Sequence, residues 1–155
     1  MRAVFGAALA AILLTAAPAA AKPIPTGGVT VNDVADVLTA EGYKAEIGKD
    51  GVGDPKITSG SGGKVFYVIF YGCKDGRCTA YQMHAGFEAD PSPGLTKVND
   101  WNTRHRFGRA FLDKDNDPIV EMDIDAERGF TSESISNNLA TWVTVLASFV
   151  KEFDL

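Results

Sequence analysis

Past an apolar start, the chain alternates between stretches whose apolar residues recur every three or four positions and stretches where they recur every two. Val31, Val34, Ala35 and Leu38 share one helical face. Thr30 is placed to cap the amide three residues on while Asp33 returns the bond, and Gly42 ends the helix. Tyr43 to Ile47 then alternates as a strand, Asp50-Gly51 and Gly53-Asp54-Pro55 supply a turn, and Lys56 to Ser59 begins the return. "KVFYVIFY", Lys64 to Tyr71, is rich in β-branched and aromatic residues on both faces, which predicts an interior strand covered on two sides. Cys78 to Phe87 follows as its antiparallel neighbour, with Tyr81, Met83, Ala85 and Phe87 on one face and Gln82 and His84 on the other.

Asp90-Pro91-Ser92-Pro93-Gly94 interrupts the sheet, and a second helix is predicted from about Thr96 to His105. "GRAFLD" and "PIVEMDID" make another hairpin, whose second strand points Val120, Met122 and Ile124 one way and Glu121, Asp123 and Asp125 the other. The last helix is the longest, from near Thr131-Ser132 to about Phe153. Its stripe of Ile135, Leu139, Trp142, Leu146, Phe149 and Phe153 needs a large apolar surface. Packing across its own sheet is favoured over a subunit interface, because the repeat is too short for a free-standing coiled coil. The order helix, strands, helix, hairpin, long helix defines an α+β domain.

Arg2, the apolar run Ala3 to Leu14 and the small residues Ala19 to Ala21 have the form of a secretory signal peptide, with cleavage expected after Ala21. Residues 1–21 are therefore read as signal, 22–28 as a flexible leader with two prolines and two glycines, and 29–155 as a single domain. The product is expected to be periplasmic or secreted. No later apolar run approaches a membrane span, so no membrane association is expected after cleavage. The chain has 15 Lys and Arg against 20 Asp and Glu, and only Arg2 falls in the signal, so the product carries a net charge of −6. That balance disfavours nucleic acid as a partner.

Compartment bears on the two cysteines, Cys73 and Cys78, which flank Lys74-Asp75-Gly76-Arg77. Asp-Gly between two strands is a hairpin signal that brings them within disulfide reach. An oxidising destination then favours a staple worth about 2 kcal/mol by loop closure. A thiol oxidoreductase usually places its cysteines two residues apart at a helix N-terminus, and a metal site would need more ligands than His84 and His105 add. The redox reading stays as the alternative.

Catalytic chemistry finds no signature. Asp113, Asp115 and Asp117 open like a calcium loop, but Pro118 and Ile124 stand where a glycine and a bidentate glutamate belong. Ser132 and Ser134 lack a nucleophile's context, and no phosphate-binding glycine loop is present. No cofactor is expected. His84 reads as a structural strand histidine. Arg104, His105, Arg106 and Arg109 form the one basic cluster, beside Trp101 and Phe107, and internal pairing with Glu121 to Asp125 competes there with a ligand site.

"FYGCKDGRC", "AGF", "VNDWN" and "RFGRAFLD" followed by "DPIVEMD" together resemble the YbjN-like family of bacterial sensory transduction regulators, across about Gly28 to Phe153. The resemblance implies helices packed on a twisted, mainly antiparallel sheet, similar to type III secretion chaperones, and by that analogy protein binding, often as a homodimer. Those chaperones are cytoplasmic, and the export signal is a departure from them. The expectation is a non-enzymatic envelope protein that binds a protein or peptide. Trp101, Arg106, Phe107 and Arg109 are its candidate contacts, since aromatic anchors joined to arginines are enriched at binding hot spots. The alternative is a thiol-based redox sensor or oxidoreductase using Cys73 and Cys78. A structural component that only oligomerises is the third reading.

Overall fold

The computed structural model describes residues 21–155, so the expected signal peptide lies outside the described residues except for Ala21. The elements are α1 (Val31–Ala40), β1 (Glu46–Lys49), β2 (Pro55–Ser61), β3 (Lys64–Lys74), β4 (Arg77–Gly86), α2 (Gly94–Arg104), β5 (Arg109–Leu112), β6 (Pro118–Asp125) and α3 (Ser132–Phe153). They form one six-stranded sheet in the order β1-β2-β3-β4-β6-β5, with every neighbouring pair antiparallel. This is the expected α+β arrangement.

Local chemistry accounts for the element ends. The Thr30 hydroxyl accepts from the Asp33 amide at 3.0 Å while the Asp33 carboxylate accepts from the Thr30 amide at 2.9 Å, a reciprocal capping box that starts α1. Thr131 caps α3 in the same way through the Ser134 amide. Between β3 and β4, Asp75 and Gly76 both adopt positive φ (50° and 80°), the geometry a two-residue hairpin turn requires, and Lys74 still pairs with Arg77.

The core lies on one face of the sheet. Phe66, Val68 and Phe70 of β3, Tyr81 and Met83 of β4, and Val120, Met122 and Ile124 of β6 are buried against the helices. All six residues of the α3 stripe are buried within the single chain, with Trp142 meeting Phe66 edge-on at 5.8 Å between ring centroids. Intramolecular packing is thus what the long stripe does.

Two expectations change. β3 is interior in the sheet but is not covered on both sides: Val65 and Tyr71 are exposed and Tyr67 and Ile69 only partly buried, because the helices packed against the sheet share one face. The leader is also not free. Ile24 donates to the Phe130 carbonyl and Gly27 to that of Glu127, each at 3.0 Å, and Val29 exchanges both backbone bonds with Cys78. Ile24 joins the core, so burial and backbone pairing pin a segment whose prolines and glycines suggested mobility.

Candidate functional site

The connection from α2 to β5 is built as a rigid projection. Asn102 clamps the two elements by donating to the Ala110 carbonyl and accepting from the Ala110 amide, both at 2.9 Å. Gly108 passes so close to α3 that a Cβ there would lie 2.6 Å from Val145 Cγ1 and 2.9 Å from Trp101 Cη2. Only glycine fits such an approach. The intervening residues are pushed outward, and Phe107 is held 68% exposed with φ +70°, a left-handed conformation that bulky residues rarely adopt.

Beside this projection lies a groove of about 450 Å³ between the end of α2 and the middle of α3. Trp101 lies in its wall, fully buried, stacked on the His105 ring at 4.6 Å and meeting Phe149 edge-on at 5.4 Å. Val145, Thr141, Thr144 and Ser148 of α3 form the opposite side. Arg104 is ion-paired with Glu152, and His105 Nε2 lies 3.7 Å from the same carboxylate. Arg106 instead lies over the Phe107 ring at 5.3 Å and makes no ion pair among the described residues. The groove therefore has an apolar lining with one uncommitted cation at its rim, a combination suited to an apolar group that carries or neighbours a negative charge.

The structure brings Trp101, Arg106 and Phe107 to this groove and separates Arg109 from them. Arg109 lies on the uncovered face of the sheet, bonded to Glu121. Internal pairing accounts for Arg104, bonded to Glu152, and for Arg109, bonded to Glu121, whereas Arg106 has no carboxylate partner among the described residues. Trp101 shapes the wall but offers almost no surface of its own. The α3 residues were not singled out from the sequence, although Thr141, Thr144 and Ser148 recur at helical spacing beside the apolar stripe.

The uncovered face carries a second polar constellation. Glu121 is buried there between Arg109 and His84, whose Nδ1 lies 3.0 Å from its carboxylate. His84 is thereby satisfied by one neighbour. Gln82 donates to Asp123 at 2.7 Å and accepts from the Tyr71 hydroxyl at 3.4 Å. Partial burial, and then the nearby Glu121, Asp123 and Asp50 carboxylates, push the Tyr71 phenol above its ordinary pKa.

Cys73 and Cys78 sit opposite each other at the end of the β3–β4 hairpin with their sulfurs 2.15 Å apart, at disulfide distance. Neither cysteine heads a helix, so no helix dipole is available to stabilise a thiolate. The Asp113 carboxylate accepts the Asp115 and Asp117 amides, at 2.9 and 3.0 Å, and so serves as a turn cap.

The sequence profile of the YbjN family, described as "Putative bacterial sensory transduction regulator", matches residues 30–155. The chain belongs to the YbjN family. No curated protein matches it. The YbjN match covers all nine elements from α1 to the end of α3, including the hairpin with its cysteines and the α2–β5 projection, so both constellations lie within the family domain. The family description points to a regulatory or sensory role and assigns no reaction.

Proposed function

We propose that this YbjN-family protein is an exported, non-enzymatic regulatory protein that binds an extended protein segment bearing apolar and acidic side chains in the groove between α2 and α3. The observation that carries the reading is Phe107, held exposed in a left-handed conformation beside an unpaired Arg106, over an apolar lining. Such backbone strain costs on the order of 1–3 kcal/mol and persists where the surroundings enforce it, often at ligand clamps. A segment of matching chemistry buries the ring and gives the guanidinium a carboxylate.

Export is supported by the amino-terminal run and by a cysteine pair at disulfide distance, which suits an oxidising compartment.

The test is a panel of immobilised peptides of graded apolar and acidic content, probed with the wild-type chain, Phe107→Gly, Arg106→Ala and Arg109→Ala. The expected result is retention of apolar–acidic peptides by the wild type and by Arg109→Ala, with loss of at least about tenfold in affinity for the other two. Retention that Arg109→Ala alone abolishes, or no preference for acidic peptides, would move the site away from the groove.

A further inference from the structure

β6 outruns its partner on one side. β5 begins at Arg109, opposite Glu121, so Met122 to Asp125 have β4 on one side and no strand on the other. By the same register residue 107 would stand opposite Asp123, but Phe107, with its left-handed φ, lies outside the ladder. We infer that this open edge takes up, as an added antiparallel strand, an extended segment of another protein in which basic and apolar residues alternate.

The argument begins with where the backbone groups point. Ala126 donates to the Thr79 carbonyl at 2.9 Å. Bonded residues alternate along an antiparallel pair, so Ile124 and Met122 also bond to β4, while Asp123 and Asp125 turn their N–H and C=O groups outward. The β5 side of the ladder agrees. Ala110, opposite Val120, points its own N–H and C=O away from β6, and Asn102 takes both. Asn102 thus closes the outer edge of β5, as exposed strand edges are commonly closed. No group among the described residues does the same for the amides and carbonyls of Asp123 and Asp125.

Space and chemistry fit a strand there. A cleft of about 390 Å³ runs along the edge, walled by Phe107, Phe130, Asn138 and Thr141. A residue placed opposite Asp123 or Asp125 shares their face of the sheet, and the residue between them faces the cleft. Both aspartates are exposed, and neither forms an ion pair among the described residues. Asp123 accepts from Gln82 and Asp125 from the Glu127 amide, bonds that leave each carboxylate its charge. The segment that satisfies this edge therefore reads basic, apolar, basic, with main-chain bonds supplying affinity and the alternate side chains specificity. A second copy of the same edge would set aspartate against aspartate, which like-charge repulsion opposes. The cleft adjoins the α2–α3 groove at Phe107 and Thr141 but takes the opposite charge, so the inference does not rest on what that groove binds.

The test is titration of the folded chain with labelled seven-residue peptides of alternating lysine and valine. Two controls are a peptide of the same composition with its lysines in one block, and a peptide of alternating glutamate and valine. The alternating lysine peptide is expected to bind at least about tenfold more tightly than either. On binding, hydrogen exchange should slow at the Asp123 and Asp125 amides and stay unchanged at Met122 and Ile124, which already bond to β4. Lysines opposite the aspartates carry the bonded N–H groups. N-methylation of every lysine should therefore cost at least about tenfold in affinity, and N-methylation of every valine no more than about twofold. Asp123→Pro removes an outward N–H and no main-chain bond of the sheet, and should match the larger loss. Asp123→Asn keeps that N–H and should weaken binding about two- to fivefold. Arg106→Ala should not weaken it, which separates this edge from the α2–α3 groove. No binding of the alternating lysine peptide, equal binding of the block peptide, methylated valines as damaging as methylated lysines, or unchanged exchange at Asp123 and Asp125 would each overturn the proposal.

Discussion

The two faces of β3 have nearly the same composition and opposite fates. Phe66, Val68 and Phe70 are fully buried beneath the helices, whereas Val65, Tyr67, Ile69 and Tyr71, one step out of phase, stay wholly or partly exposed. Their neighbours differ. On the covered face the cross-strand partners of Val68 and Phe70 are Met83 and Tyr81, and Trp142 of α3 closes over Phe66. On the open face the partners are Gln82 and His84, tied to Asp123 and Glu121. Apolarity of a strand position therefore measures its capacity for burial, and the partners across the sheet decide whether that capacity is used within the chain.

The largest expected effect of breaking the covered face is that of Trp142→Ala. The side chain is wholly buried against Phe66, and its removal should cost about 3–5 kcal/mol in urea unfolding. Replacing Cys73 and Cys78 together by serine should cost about 2 kcal/mol and leave the rest of the fold in place, since the loop closed is short; comparing unfolding midpoints with and without reductant provides the check. Phe107→Gly goes the other way. It relieves a left-handed phenylalanine that buries little of itself, so stability should hold or rise by about 1 kcal/mol while peptide retention falls, which separates recognition from structure.

The two faces should also differ at alkaline pH. Burial holds the Tyr81 phenol protonated well above its ordinary value, and burial together with the facing carboxylates does the same more mildly for Tyr71. Each tyrosine keeps its proton in the folded chain after the unfolded chain has lost it, so each contribution is complete below about pH 10 and declines as pH rises beyond that point. Unfolding followed from neutral pH to beyond pH 10 should show this loss. Tyr81→Phe should flatten it more than Tyr71→Phe, because Tyr81 has only 1% of its surface exposed and Tyr71 46%.

Much of the architecture was legible in the sequence because its signals were local. The Thr30–Asp33 capping box, the Asp75-Gly76 turn and the α3 stripe each depend on residues a few positions apart, and each appears where expected. What escaped depended on elements distant in sequence. The single covered face of β3 follows from the helices sharing one side, which no pattern within Lys64–Tyr71 encodes. The docking of Lys22–Gly28 follows from backbone groups near Phe130 and Cys78. For the candidate site, Trp101, Arg106 and Phe107 were recognisable by residue type. Pairing of Arg109 with the acidic strand from Glu121 was one of the sequence readings, but grouping Arg109 with the groove residues overlooked that strand alternation carries it to the opposite face, and the α3 wall was masked by the stronger stripe beside it.

The central claim is that one face of this sheet holds the fold together while the other contributes little to its stability. Phe70 and Tyr71, adjacent aromatic residues on opposite faces, test it most directly. Urea unfolding of Phe70→Ala and Tyr71→Ala, at concentrations low enough for a monomer, should show a loss of about 3–5 kcal/mol for the first and about 1 kcal/mol or less for the second. Equal losses would mean that both faces are core, and would contradict the account.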